Sequence, residues 1–295
     1  RNFIQPVEVD RLQDVVDKNI ERLEKSTGRF SAINTLDDVF KLAGQTGEFD
    51  IEKLYGVDSA MASVLDRTSQ LAISAGIDAL RDSGLPLVKR FRETKSGKRL
   101  ANGWALPDAV GRETGVIFAT AFPGVDRLID DVSRATRAQT LRDLTSRLER
   151  EGHKELVESL QSSEGYQSLD SDYQFNRKFL FRMLSMGHTQ MAQHIGAMGP
   201  NTQLNAACAS GSQAVAVATD WIRTGRCKRV LVISADDVVY RDNLEWIGSG
   251  FLASGAATTS GIVEDAAVPF GRTRNGMILG SGAAAFVVET EESVE

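Results

Sequence analysis

The stretch "NTQLNAACASGSQAVAV", from Asn201 to Val217, places one of the chain's two cysteines between a strand-like pattern and an alanine-rich helical pattern. The residues before Cys208 alternate as they do in a β-strand, and those after it are nearly all small. The pattern predicts that Cys208 lies at the N-terminus of a helix, where free N–H groups and the helix dipole favour an anion. The small side chains predict that this helix packs deeply between sheets.

Two roles for Cys208 are compatible with this position. A thiol at a helix N-terminus ionises more readily, and the same N–H groups can receive the oxyanion formed when a thiolate attacks a thioester carbonyl. The alternative is a small buried apolar residue, the commoner role of a free cysteine. Cys227, in the turn "GRCKRV", is predicted to be structural.

Strand-like and helical patterns alternate along the chain, which predicts an α/β protein with a largely parallel sheet. The strand-like stretches are "TGVIFATAF" (114–122), "TQLNAA" (202–207), "RVLVISA" (229–235) and "GAAAFVVET" (282–290), and the helical ones are 59–83, 179–199, 210–224 and 248–260. The segment "LAGQTGEFD" (42–50) is predicted to be a loop because of its glycines. Residues 1–58 are predicted to be an N-terminal extension.

A segment dense in charges and helix formers occupies residues 123–180. It predicts one or two solvated helices inserted over the body of the protein. Charge runs of this kind usually mark a structural flap or an interface element, although surface segments also carry function.

Composition excludes several classes of protein. The chain has 34 Lys and Arg against 40 Asp and Glu, a net charge of −6, so no basic surplus exists for nucleic acid. Two cysteines without metal-ligand spacing predict neither a disulfide framework nor a metal site, which fits the cytoplasm. No apolar run has the length of a membrane span. The first residue, Arg1, suggests a piece of a longer protein.

Several stretches, in order, resemble those of β-ketoacyl synthases, the condensing enzymes of fatty-acid and polyketide assembly. "NAACASGSQAVAVA" resembles their active-site stretch, "GVIFATAFPGV" the strand and loop at their dimer interface, and "MAQHIGAMGP" the helix end before the active-site strand. "AISAGIDALRDSGL", "RVLVISADD" and "PFGRTRNGMILGSGAAAFVVE" resemble further segments of their N-terminal half. The resemblance covers roughly residues 59–122 and 180–290.

The resemblance implies the thiolase-like fold, with αβαβα layers and two similar α/β halves around a pseudo-twofold axis. Residues 1–295 would be the N-terminal portion, with the C-terminal half absent. In the family, two histidines and a lysine of that half serve decarboxylation and condensation. None of His153, His188 and His194 matches those histidine motifs.

The resemblance also implies site residues. Cys208 would be the acyl-accepting nucleophile, its backbone N–H forming half of the oxyanion hole. Phe122 falls where the family places a residue that reaches across the dimer and limits acyl-chain depth. Phe251 falls where an aromatic side chain lines the acyl pocket. Both phenylalanines are equally compatible with a role in the core.

The implied partners are an acyl carrier protein, acyl and malonyl thioesters, a second copy of the chain in a homodimer, and the C-terminal half. No metal or redox cofactor is implied, since phosphopantetheine belongs to the carrier protein. The glycines of "GMILGSGAA" precede a strand and do not open a helix, so no nucleotide site is assigned to them.

Two other functions remain open. One is a thiolase or another acyltransferase of the same fold, which would bring a second cysteine beyond Glu295. The other is a non-catalytic partner subunit that shapes a chain-length tunnel. Such subunits typically lack the nucleophile, so Cys208 counts against this function.

Overall fold

The computed structural model describes residues 2–168, 173–175, 179 and 186–294. The strands are β1 (Asn2–Pro6), β2 (Glu21–Glu24), β3 (Arg29–Ala32), β4 (Leu42–Thr46), β5 (Val88–Glu93), β6 (Arg99–Ala105), β7 (Thr114–Ala119), β8 (Asn201–Leu204), β9 (Arg229–Asp237) and β10 (Leu279–Glu289). The helices are α1 (Val9–Lys18), α2 (Ile51–Tyr55), α3 (Ser59–Ala62), α4 (Arg67–Asp82), α5 (Asp108–Arg112), α6 (Val125–Arg150), α7 (Lys154–Ser162), α8 (Glu164–Ser168), α9 (Gly187–Ile195), α10 (Ser210–Arg223), α11 (Ser249–Ala253), α12 (Val263–Ala266) and α13 (Glu291–Val294). A 3-10 turn spans Leu36–Asp38, and a π-helical turn spans Leu244–Gly248.

The main sheet has six strands in the order β1-β4-β10-β9-β7-β8. Strand β7 runs parallel to β8 and β9, and β4 runs parallel to β10, whereas β10 is antiparallel to β9 and β1 is antiparallel to β4. The prediction of an α/β protein is confirmed, but the sheet is mixed. Alternating strand and helix patterns do not define the direction in which the chain returns after β9.

The segment predicted to be a loop at residues 42–50 contains β4, so that prediction was wrong. Leu42 and Ala43 are buried, and β4 lies between β1 and β10. A Cβ added to Gly44 would meet the Cα of Gly280 at 3.5 Å, within ordinary van der Waals contact. Glycine lowers strand propensity locally, and here pairing on both edges overrides that preference.

Helices cover both faces of the sheet. Leu231 and Ile233 of β9 face α4 and α9, whereas Val230 and Val232 face α10. Strand β7 is buried along its whole length, as the apolar run of its sequence predicts for a strand covered on both faces. Cys227 is buried in the α10 cluster, and burial raises the pKa of its thiol, which agrees with its predicted structural role.

The charge-rich segment forms three helices between residues 125 and 168, namely α6, α7 and α8, where the sequence predicted one or two. The remainder of the predicted 123–180 insertion lies largely outside the described residues, as does the first part of the predicted helix at 179–199. No helix in the described ranges is long and apolar enough to span a bilayer.

Candidate active site

Cys208 lies on a sharp turn between β8 and α10. Ala207, directly before it, has a φ of 49°, in the left-handed region that costs a residue with a Cβ about 1–3 kcal/mol. The buried hydroxyl of Ser210 accepts a hydrogen bond from the Ala206 N–H at 2.8 Å and donates one to the Ala207 carbonyl at 2.6 Å. Two bonds from one hydroxyl therefore hold the turn in this conformation.

Cys208 is exposed on the surface formed by the described residues. It precedes the first turn of α10, whose N-cap is Ala209, as the sequence predicts. The described residues place one main sheet against α10, so its packing between two sheets stays a prediction. The helix buries Ser210, Ala214, Ala218 and Trp221 against one sheet and exposes its opposite face.

Asn205 connects the Cys208 turn to the loop after β7. Its side-chain amide donates to the Ala121 carbonyl at 3.0 Å, and its Oδ1 accepts from the Ala207 N–H at 3.1 Å. One side chain therefore ties the residue before Cys208 to the residue before Phe122. The ends of β7 and β8 are adjacent because these two strands pair in parallel.

Phe122 and Phe251 meet in one apolar groove. Their rings pack edge to face with centroids 6.1 Å apart. The groove has a volume of about 390 Å³ and is lined by Phe122, Val125, Ile129, Trp246, Ile247, Gly250, Phe251 and Ser254. The structure thus brings the two predicted aromatic residues together, while Cys208 is not among the residues that line the groove.

Sequence reasoning missed most of the groove lining. Val125 and Ile129 belong to α6, whose sequence is mostly charged, and Trp246 and Ile247 belong to the π-helical turn. Two apolar residues four apart in a charged helix are a weak signal on their own. Val125 and Ile129 line the groove only because of where the tertiary fold places α6.

Two carboxylates clamp the start of α6 to the start of α4. The Asp66 carboxylate accepts from the Ser69 N–H at 2.9 Å and the Gly124 N–H at 2.6 Å, and Asp126 accepts from the Arg67 N–H at 3.2 Å. Burial, together with the nearby charge of Asp66, raises the pKa of Asp126 to about 6. The clamp holds the helix that carries Val125 and Ile129.

A further carboxylate lies at the end of β9. Oδ1 of Asp236 accepts from the Thr120 hydroxyl at 2.9 Å, the Ala121 N–H at 2.8 Å and the Phe122 N–H at 3.0 Å. Burial raises the pKa of Asp236, against the lowering effect of these hydrogen bonds. The sequence signal was the pair Asp236 and Asp237 at the end of an apolar strand, and the sequence-based prediction did not include it.

The histidines lie on other elements. His188 and His194 are on α9, where burial lowers the pKa of both, and His153 is the N-cap of α7. The ring of His194 lies against Gly103 of β6. Among the described residues, no three His, Cys, Asp or Glu side chains come together in a way that could hold a metal ion.

Comparison with known proteins identifies the family. The family described as "Beta-ketoacyl synthase, N-terminal domain" matches residues 145–293, half of the chain. This chain is a member of the β-ketoacyl synthase family.

Two curated relatives carry related names. A tetracenomycin polyketide synthase ketoacyl synthase alpha subunit from Streptomyces glaucescens is 28% identical over 248 residues, which are 82% of this chain and 46% of that protein. A 3-oxoacyl-(acyl-carrier-protein) synthase 2 from Staphylococcus aureus is 29% identical over 110 residues, 37% of this chain and 26% of that protein. The chain therefore spans less than half the length of these relatives.

Solved structures agree on the fold. A β-ketoacyl synthase from Burkholderia phymatum STM815 matches with a TM-score of 0.54 at 18% identity, over 97% of this chain and 56% of that chain. A type II polyketide ketosynthase, solved with its acyl-carrier protein and bound to the hexaketide, matches with a TM-score of 0.55 at 17% identity, over 98% and 51%. The fold is the predicted thiolase-like α/β fold.

Proposed function

We propose that the protein carrying this chain is a β-ketoacyl synthase in which Cys208 accepts the acyl group. The observation that carries the proposal is the position of Cys208, on a turn fixed by Ser210 at the N-terminus of α10. Family membership supports it, because the match to the synthase N-terminal domain covers residues 145–293 and so includes Cys208. The pathway is fatty-acid or polyketide synthesis.

The first step is acyl transfer from the phosphopantetheine thioester of an acyl carrier protein. The Cys208 thiolate attacks the thioester carbonyl and forms a tetrahedral oxyanion next to the first N–H groups of α10. Collapse of this intermediate breaks the carbon–sulfur bond to phosphopantetheine, whose thiolate takes up a proton. Phosphopantetheine belongs to the carrier protein, so the acyl step needs no further cofactor.

The second step is decarboxylative condensation with a malonyl thioester. Loss of carbon dioxide leaves an enolate, which attacks the acyl-Cys208 carbonyl, and the Cys208 thiolate leaves. The enolate oxygen needs N–H or cationic donors. We assign these donors to a C-terminal half outside residues 1–295, so this chain alone would accept an acyl group without condensing it.

The groove between Phe122 and Phe251 is the proposed site of the acyl chain. Its lining is apolar except for Ser254, which suits a hydrocarbon tail. Asn205 joins the Cys208 turn to the loop that carries Phe122, so the thiol and the groove share one support. Closure of the groove by two phenyl rings favours short acyl chains.

The proposed partners are an acyl carrier protein and a second copy of the chain. The copy would pack against the loop after β7, because β7 itself is paired on both edges and buried along its length. A carrier protein occurs in the solved complex of the polyketide ketosynthase. Residues 123–180 are proposed as a helical insertion on the first half of the synthase.

Acyl transfer is tested with acyl-pantetheine thioesters of several lengths and intact mass spectrometry. We expect a single acyl mass on the protein and on a Cys227→Ala variant, and none on Cys208→Ala. Acylation of Cys208→Ala would show that another residue is the acceptor. Absence of acylation in the full-length, folded protein would favour a non-catalytic partner subunit.

A further inference from the structure

The two acids that end β9 bind different segments of the chain. Asp237 is fully buried, and its Oδ1 accepts from the N–H groups of Val239 and Tyr240 and from the Ser281 hydroxyl. Neighbouring residues of a strand point to opposite faces, so Asp236 is directed elsewhere. It reaches the loop that follows β7.

Asp236 concentrates three hydrogen bonds on a single oxygen. The donors are consecutive, namely the Thr120 hydroxyl and the N–H groups of Ala121 and Phe122, at distances between 2.8 and 3.0 Å. Bonds to an ionised acceptor are stronger than bonds between neutral groups. Thr120 is fully buried, so water does not compete for its side chain. The carboxylate therefore fixes the path of the chain immediately after β7.

The loop after β7 contacts both the turn that carries Cys208 and the apolar groove. Through the Ala121 carbonyl it holds Asn205, whose Oδ1 in turn accepts from the Ala207 N–H beside Cys208. Through the Phe122 backbone it orients the ring that meets Phe251. The side chain of Asp236 is thus connected to both the thiol-bearing turn and the apolar groove.

We propose that Asp236 is a positioning residue, whose carboxylate aligns Cys208 with the mouth of the acyl groove by holding Ala121 and, through it, Asn205. The proposal rests on the proposed function in that Cys208 is the group being aligned. In the described contacts Asp236 does not reach the thiol, and it reaches the groove only through the backbone N–H of Phe122. It acts on both through the loop after β7.

Two substitutions of Asp236 distinguish the effect of its hydrogen-bond acceptor from the effect of its negative charge. Asp236→Ala leaves the donors of Thr120, Ala121 and Phe122 without their acceptor. Asp236→Asn keeps one oxygen acceptor, removes the charge and replaces the other oxygen with an NH₂ group. Asn205→Ala removes the side chain that joins the Ala121 carbonyl to the Ala207 N–H. Asp220→Asn, at an exposed position near the far end of α10, is the matched control.

The test measures the rate at which iodoacetamide alkylates Cys208 in a double-mutant cycle. We expect Asp236→Ala and Asn205→Ala each to slow alkylation roughly tenfold, because the reactive thiolate is favoured at the N-terminus of a helix and a released turn no longer holds Cys208 there. The double variant should be no slower than either single variant, because both act through one path. Asp236→Asn should recover most of the rate, and Asp220→Asn should leave it unchanged.

Additive effects of the two substitutions, or an unchanged rate in Asp236→Ala, would overturn the proposal. If Asp236→Ala does not fold, the cycle is measured with Thr120→Val, which removes one of the three donors to Asp236 with little change in side-chain volume, and the same lack of additivity is expected. Alkylation does not require acyl transfer. A protein that fails to take acyl groups would therefore contradict the proposed function, while the alkylation cycle would still decide the role of Asp236.

Discussion

Phe122 and Phe251 form an edge-to-face pair with ring centroids 6.1 Å apart. The first follows the inner strand β7 and the second lies in α11, so the pair joins the sheet to the connection between β9 and β10. Such pairs contribute about 1 kcal/mol beyond the burial of their area. The same contact closes one side of the apolar groove, which is the proposed site of the acyl chain.

Truncation of either ring should admit longer acyl chains. We expect Phe251→Ala and Phe122→Ala to raise the ratio of long-chain to short-chain loading at Cys208 by about tenfold, because a few methylene groups gain room in an apolar pocket. Phe91→Ala, on the exposed face of β5, is the control. Equal loading of short and long thioesters by the wild-type protein would contradict the proposed chain-length limit.

The Ser210 hydroxyl should be needed for the turn that carries Cys208. Ser210→Ala removes a donor and an acceptor at a buried site, which costs about 1–3 kcal/mol of unfolding free energy. We also expect slower alkylation of Cys208, because the left-handed conformation of Ala207 loses its support. Urea denaturation and iodoacetamide kinetics measure the two effects. Ser212→Ala, at an exposed position of α10, should show neither.

Native alkylation should distinguish the two cysteines. Cys208 is exposed, whereas Cys227 is 7% exposed and burial raises the pKa of its thiol. We expect iodoacetamide to label Cys208 in the folded protein and to label Cys227 only after denaturation. Peptide mapping provides the measurement. Labelling of Cys227 before Cys208 would refute the packing of α10 against β7 and β9.

The carboxylate clamp predicts a pH-dependent effect of Asp126→Asn. The folded pKa of Asp126 is about 6 against an ordinary value of 3.8, so the native state retains a proton that the unfolded state loses. Unfolding free energy is therefore lost as the pH rises from about 4 to 6, by up to about 3 kcal/mol. Asparagine keeps the acceptor for the Arg67 N–H and carries no charge.

We accordingly expect Asp126→Asn to raise the unfolding free energy at pH 8 and to leave it nearly unchanged at pH 4, as measured by urea denaturation at both values. Asp143→Asn, at an exposed position of α6, serves as the control and should change stability by less than about 0.5 kcal/mol. A loss of stability at pH 8 in Asp126→Asn would show that its charge is needed in the clamp.

Sequence patterns predicted the parts of this site that depend on local periodicity. The strand-turn-helix around Cys208 and the buried run of β7 are both readable from adjacent residues. β4 was missed because Gly44 and Gly47 signal a turn, and pairing with distant strands is invisible locally. The roles of Asp236, Asp66 and Asp126 were missed for the same reason. Each depends on donors from another part of the chain, which only the tertiary fold brings within hydrogen-bond distance.

The most direct test of the central claim is a crystal structure of the full-length protein after reaction with an acyl-pantetheine thioester. We predict a thioester bond between the acyl carbonyl and Sγ of Cys208, the carbonyl oxygen facing the N-terminus of α10, and the acyl tail lying between Phe122 and Phe251. An acyl group attached to another residue, or a tail directed away from the groove, would contradict the account.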